Sequence, residues 1–199
     1  MKIQSNEIEL LKLSVHSMDL SGIVDNDYLR NYVLSCSKDH MYYDPNEIQI
    51  DLDKISDLLK VVKQIFVSID SRFKEQNLYA WGHIIKPKTM AEPHIHTNKL
   101  DPAALSWIYY VDVPEETGAL TFTPNFFDNR IMIQPKASEM ILLNGSYPHY
   151  VQYNMSEKER VSIAGNFIVT REMMSVPSKQ LIKYMNNCYF NRDRKYEIR

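Results

Sequence analysis

The apolar residues of this chain change their period once, near Asn77. Before that point they recur at spacings of three and four. Ile55, Leu58, Leu59, Val62, Ile65, Phe66, Ile69 and Phe73 form one broad stripe, as expected of an amphipathic helix laid against a core. Asp51 or Asp53 is placed to cap its N-terminus. A shorter helix is predicted over 25–37, preceded by an extended segment over 10–18. These helices are expected to buttress a sheet.

After Asn77 the pattern becomes a series of short runs rich in aromatic and β-branched residues, over 78–85, 105–113, 119–123, 130–134, 140–143, 149–153 and 160–170. Turn chemistry separates them: Pro114 to Gly118, Pro124 with Asn125, Pro135, the Asn144–Gly145 pair, and Asn154 to Glu159. Short strands at this spacing, with no helices between them, predict a sandwich or barrel rather than alternating strands and helices. The segment over 177–199 reads as helical at first, then polar and basic. The organisation expected is one domain over 1–199, mainly β, with helical N-terminal support over 1–77, a β core over 78–170 and a C-terminal extension over 171–199.

Composition narrows the function without choosing it. A length of 199 residues is enough for one full core. A formal charge of -2 gives no global attraction to nucleic acid or to an anionic membrane. Cys36 and Cys188 form no metal-spaced pair and read as reduced thiols, which suits a cytoplasmic protein. The N-terminal residues MKIQSNEIELLKL have no signal-peptide core, and no apolar run approaches the roughly 18 residues of a bilayer span.

The candidate chemistry lies in the second half. His94 and His96 form an H-x-H pair in AEPHIHTN. On a strand, residues i and i+2 point to the same face. Two adjacent imidazoles are costly to bury unless something uses their nitrogens, and a divalent metal is the commonest such use. His149 follows the Asn144–Gly145 turn and Pro148, on a strand that can lie beside the first. His16, His40 and His83 read instead as surface or satisfied core residues. Ten residues after His149 comes Arg160, and Ser162 follows in ERVSIAGNF, giving H-x10-R-x-S. Arg160 and Ser162 share a strand face with Ala164 and Asn166. An arginine inside an apolar barrel must find an anion, and a planar fork beside a hydroxyl suits a carboxylate held bidentately.

The set P-H-x-H, His149 and R-x-S resembles the iron(II)- and 2-oxoglutarate-dependent oxygenases, whose signature is H-x-D/E, a distal histidine and R-x-S. The resemblance covers about 78–170, and P-H-x-H followed by a serine- and tyrosine-rich strand over 105–110 resembles in particular a branch of oxygenases often encoded by phages. It implies a double-stranded β-helix, or jelly-roll, core. It makes His94 and His149 ligands of Fe(II), gives Arg160 the distal carboxylate of 2-oxoglutarate, and gives Ser162 a hydrogen bond to it. The expected activity is that of a dioxygenase oxidising an unidentified substrate, with a peptide side chain, a nucleobase and a small metabolite all open, and releasing succinate and carbon dioxide. No catalytic residue beyond the metal ligands is expected.

The chain departs from the family where an acid is usual, because His96 stands there. The third ligand is either His96 or a carboxylate from elsewhere, with Asp101 and Glu92 nearest; His96, at the family's ligand position, is preferred. Tyr79 and Trp81 share a face with His83, and Trp107 and Tyr109 share another. Ser106 and Tyr110 oppose that second pair, so only one of those two sets can face inward. Asn166 contacts cosubstrate or substrate, or is an ordinary strand-end polar residue. The rival reading is a cupin-like metal protein that does not use 2-oxoglutarate, against which Arg160 and Ser162 at this spacing argue.

Overall fold

The structure, a computed structural model, describes residues 15–37, 46–97, 104–123 and 130–185. In chain order the elements are β1 (His16–Asp19), α1 (Asn26–Cys36), β2 (Glu47–Ile48), α2 (Ser56–Ile69), β3 (Tyr79–Ile85), β4 (Ala91–His94), β5 (Ala104–Asp112), β6 (Leu120–Phe122), β7 (Ile131–Ile133), β8 (Glu139–Asn144), β9 (His149–Val151), β10 (Arg160–Ile168), α3 (Arg171–Ser175) and α4 (Lys179–Met185).

Local chemistry sets the helix ends. Asp25 caps α1 by accepting the Tyr28 N–H at 2.9 Å. Asp51 opens a 3-10 turn, Leu52–Ile55, that leads into α2. The apolar stripe that predicts one helix through Phe73 is divided. α2 stops at Ile69 because Asp70 is extended, and Asp70 then caps a 3-10 turn over Ser71–Glu75 while ion-pairing with Arg72 at 2.7 Å. Phe73 still joins the same core. It meets Phe66 and Phe167 edge-on, and those two stack at 4.0 Å. Each large apolar side chain buried in this way contributes about 1.5–3 kcal/mol.

The strands form two antiparallel sheets, six-stranded in the order β1-β8-β5-β10-β3-β2 and four-stranded in the order β4-β9-β6-β7. This is the jelly-roll arrangement expected. β1 overlaps the end of the extended segment expected over 10–18, whose first residues lie outside the described ones, and β2 is a strand the pattern does not predict; the two form the edges of the large sheet.

The two faces of the large sheet build two different cores. Trp107, Tyr109, Val111, Ile163 and Phe167 pack with the helices. Trp81, Ile108, Tyr110 and Ala164 pack with Leu120 and Phe122 of the small sheet. The inward set on β5 is therefore Ser106, Ile108 and Tyr110, and Trp107 with Tyr109 faces the helices. Gly165 permits this packing, because a Cβ there would stand 2.5 Å from the Tyr79 carbonyl and 2.7 Å from the Trp107 ring.

Candidate metal centre

β4 and β9 are neighbours in the small sheet, and His94 and His149 are direct register partners across them. β4 carries an irregularity between Ala91 and His94, a device that re-aims side chains, and it ends at His94. His96 lies past the strand end. Its N–H donates to the Gly145 carbonyl at 2.7 Å, which ties the returning chain to the turn between β8 and β9. The ring of His96 then lies 5.2 Å from that of His94 and 4.9 Å from that of His149, centroid to centroid. One nitrogen from each of the three rings lies within 4.8 Å of the others, the one such cluster of metal-ligating side chains among the described residues.

The outward nitrogens decide what the inward ones can do. His94 Nδ1 is 2.8 Å from the Glu92 carbonyl, and His149 Nδ1 is 2.7 Å from the Tyr147 carbonyl. A carbonyl oxygen can only accept, so both Nδ1 atoms carry the proton and both Nε2 atoms present lone pairs. His96 Nδ1 is 3.0 Å from Asn166 Oδ1, which also accepts the Ser106 hydroxyl at 2.7 Å. With that oxygen as acceptor, His96 likewise presents Nε2 as a lone pair.

His94 Nε2 and His96 Nε2 stand 3.2 Å apart. Two lone pairs at that distance repel unless a cation lies between them. Two nitrogens at right angles on a first-row ion, with bonds of about 2.0–2.1 Å, would be about 2.9 Å apart. The donor set therefore fits a divalent transition metal, and imidazole suits iron among others. Burial favours the neutral form of two of the rings, His149 and His96. It pushes the His149 imidazole down to about 3, with His96 and His94 adding to the effect. It pushes His96 down to about 4, against the opposing hydrogen bond to Asn166.

Arg160 lies across the same cavity at the start of β10, 1% exposed. Its Nη1 donates to the Gly118 carbonyl at 3.4 Å, its guanidinium sits 5.6 Å from the centre of the Tyr110 ring, and its Nε has no partner. Among the described residues no carboxylate comes within ion-pairing distance of it. The Tyr110 hydroxyl is also buried without a partner, and burial pushes its ionisation up to about 12, so it remains a neutral donor. Ser162 lines the cavity beside them, its hydroxyl 3.5 Å from the His83 carbonyl. A cation and a phenol donor, both unsatisfied and buried together, make a site for an anion.

The structure thus brings together His94, His96, His149, Arg160 and Ser162 around one cavity. That space is narrow, about 30 Å³, and a second cavity of about 260 Å³ beside it shares Glu47, Trp81 and His96 with the first. Glu92 does not join the site, since its side chain is exposed and only its carbonyl takes part. Asp101 and His40 lie outside the described residues. His16 packs on Tyr184 at the sheet edge. His83, read from sequence as a surface or core residue, is a cavity-lining group. Its ring is held well below the usual histidine range by burial first, then by Arg160 and the three clustered histidines. The signal that points to it is register, because His83 is the cross-strand partner of Ser162.

No protein-family model matches the chain, and no curated protein matches it in sequence. Solved structures do match it in fold. A Pseudomonas putida prolyl-4-hydroxylase superposes with a TM-score of 0.58 at 16% identity, over 77% of this chain and 91% of that one. A prolyl hydroxylase from Trichoplax adhaerens, in complex with a hypoxia inducible factor oxygen degradation domain peptide fragment, gives 0.60 at 13% identity, over 82% and 87%. A viral collagen prolyl hydroxylase from Paramecium Bursaria Chlorella virus-1, in complex with 2OG, gives 0.55 at 14% identity, over 76% and 94%. The chain has the double-stranded β-helix fold of these hydroxylases, and its three clustered histidines stand within that fold.

Proposed function

We propose that the chain is an iron(II)- and 2-oxoglutarate-dependent dioxygenase. The observation that carries this reading is the pairing of two unsatisfied features across one cavity: three imidazoles presenting lone pairs at one point, and a buried guanidinium with no counter-ion among the described residues. A molecule with a metal-chelating head and a distal carboxylate satisfies both, and 2-oxoglutarate is such a molecule. The fold shared with prolyl hydroxylases, one of them solved with 2OG, supports the choice.

In this reading His94, His96 and His149 hold Fe(II) through Nε2. When bound, the iron supplies dioxygen activation coupled to conversion of 2-oxoglutarate to succinate and carbon dioxide. The chain's own residues bind and orient. Arg160 takes the distal carboxylate through its fork, and Ser162 and the Tyr110 hydroxyl donate to it. Trp81, Ile108, Leu120 and Val151 wall the cavity and limit water. The substrate is a small molecule or a peptide, the latter class supported by the peptide complex of the Trichoplax relative in fold. A cytoplasmic setting goes with this reading, supported by the free thiol of Cys36. No helix among the described residues is long and apolar enough to cross a membrane.

Anaerobic titration of the Fe(II)-loaded protein with 2-oxoglutarate tests the assignment. A visible charge-transfer band that saturates with added 2-oxoglutarate is expected. Metal binding without such a band would leave a cupin-like metal protein in its place.

A further inference from the structure

Of the three histidines in the cluster, only one is held from behind by a side chain. His94 and His149 lean on main-chain carbonyls of residues two positions before them, an arrangement built into the local backbone. His96 stands beyond the end of β4, and its ring is held by Asn166 of β10, seventy positions away in the chain. Asn166 in turn is held by Ser106 of β5, its cross-strand neighbour. The central strands of the large sheet thus reach across the barrel to the ligand position where the sequence departs from the oxygenase pattern.

We infer that Asn166, steadied by Ser106, is a positioning residue that makes His96 a metal ligand by accepting its Nδ1 proton and so turning an unprotonated Nε2 toward the cluster. The inference rests on the metal reading proposed above and goes beyond it by assigning the neutral amide behind the histidine. If the Asn166 amide presented its NH₂ group to His96 instead, Nδ1 would be the acceptor and Nε2 would carry the proton. That N–H would point at His94 Nε2, 3.2 Å away, and would close the metal position with a hydrogen bond between two ligands. The carboxamide oxygen therefore decides between an open and a closed site. A carboxamide also leaves His96 a neutral donor, whereas a carboxylate in its place would lend the ring anionic character and strengthen its bond to a metal.

The test uses the full chain, cobalt(II) as the probe metal, and two variants of similar size, Asn166→Leu and Asn166→Asp. The expected result is that Asn166→Leu weakens cobalt(II) binding about 10–100-fold, the usual effect of losing a ligand's supporting partner. Asn166→Asp should bind at least as tightly as the parent and shift the cobalt(II) visible bands. Ser106→Ala should fall between parent and Asn166→Leu. Nitrogen-15 spectra of the metal-free parent should show His96 protonated at Nδ1, and in Asn166→Leu that preference should be lost while circular dichroism stays unchanged. Parent-like cobalt(II) affinity in Asn166→Leu, equal loss in Asn166→Leu and Asn166→Asp, or a His96 ring protonated at Nε2 in the parent would each overturn the inference. If the parent binds no cobalt(II), the metal reading fails, and the tautomer measurement still decides the role of Asn166.

Discussion

Replacing Arg160 by methionine should make the metal-free protein more stable while removing its affinity for 2-oxoglutarate. The expectation of opposite signs follows from what Arg160 touches. Its side chain is 1% exposed, so it has given up its hydration, at an effective cost of several kcal/mol for a buried ion. Within the fold it recovers little. One hydrogen bond of 3.4 Å to a neutral carbonyl is at the long limit, so it returns about 0.5 kcal/mol. The Tyr110 ring at 5.6 Å adds about 1–2 kcal/mol. The Nε proton is unpaired. A methionine follows the apolar stem of the arginine and removes the stranded charge, and apolar replacement of buried ions has stabilised proteins by about 1–4 kcal/mol. Loss of the fork from the carboxylate should cost about 2–5 kcal/mol of ligand affinity, which is roughly 30- to 5000-fold. Denaturant titration of metal-free Arg160→Met against the parent reads the first effect. The anaerobic charge-transfer titration reads the second. A loss of stability of 3 kcal/mol or more would refute the reasoning, since it would mean that the guanidinium already has a strong partner inside the fold.

Two further outcomes are expected. The metal-free protein should lose stability as pH falls from about 6.5 toward 4, because His96 and His149 are held near 4 and 3 in the fold and at about 6.5 when unfolded, so the unfolded chain binds more protons in that window. Each contributes up to about 1.4 kcal/mol per pH unit; thermal or denaturant unfolding between pH 5 and 6.5 reads this slope, and an unchanged slope in His149→Gln would contradict it. Gly118→Ala should destabilise by about 2 kcal/mol or more, since Gly118 has φ +79° and a Cβ would stand 2.4 Å from the Gln152 carbonyl. The same change displaces the carbonyl that receives Arg160, so 2-oxoglutarate affinity should shift with it.

The parts of the site legible in the sequence are those carried by spacing. Arg160 and Ser162 are readable because the gap from His149 and the i, i+2 phase of one strand need no knowledge of neighbours. The inward face of β5 is not readable, and the physical reason is its burial. All but the last of its nine residues are buried, eight in a row, because the sheet is covered on both sides and no polar alternation marks a solvent face. His83 and Asn166 fail for a different reason. Each acquires its role from a partner across a strand or across the barrel, Ser162 for the one and His96 for the other, and pairing register is not written in local composition. β2, two residues long, is too short to show any period. The H-x-H pair converges by a different route from strand phasing, because β4 ends at His94 and His96 reaches the cluster by a turn past the strand end.

The charge balance of the cavity leads to the last prediction. A carboxylate at the position of His96 would bring one negative charge to the metal, and an all-histidine cluster brings none. A divalent ion at the cluster and Arg160 across the cavity would together place three positive charges beside one lining carboxylate among the described residues, that of Glu47. Such a cavity binds the metal poorly alone and better once an anion shares the space. Under the proposed function 2-oxoglutarate, with two carboxylates, is that anion, so each ligand should tighten the other. Linkage requires the two effects to be equal, and a coupling of about 1–3 kcal/mol, or about 5- to 150-fold, is the usual scale. Calorimetric titration of cobalt(II) into the protein, with and without saturating 2-oxoglutarate and corrected for chelation in solution, measures the factor directly. In Arg160→Met the coupling should shrink, because a weakened hold on the distal carboxylate leaves less anion in the cavity at the same concentration. Metal affinity that is the same with and without 2-oxoglutarate would mean that the two do not share this cavity, and that Arg160 is buried for some other anion.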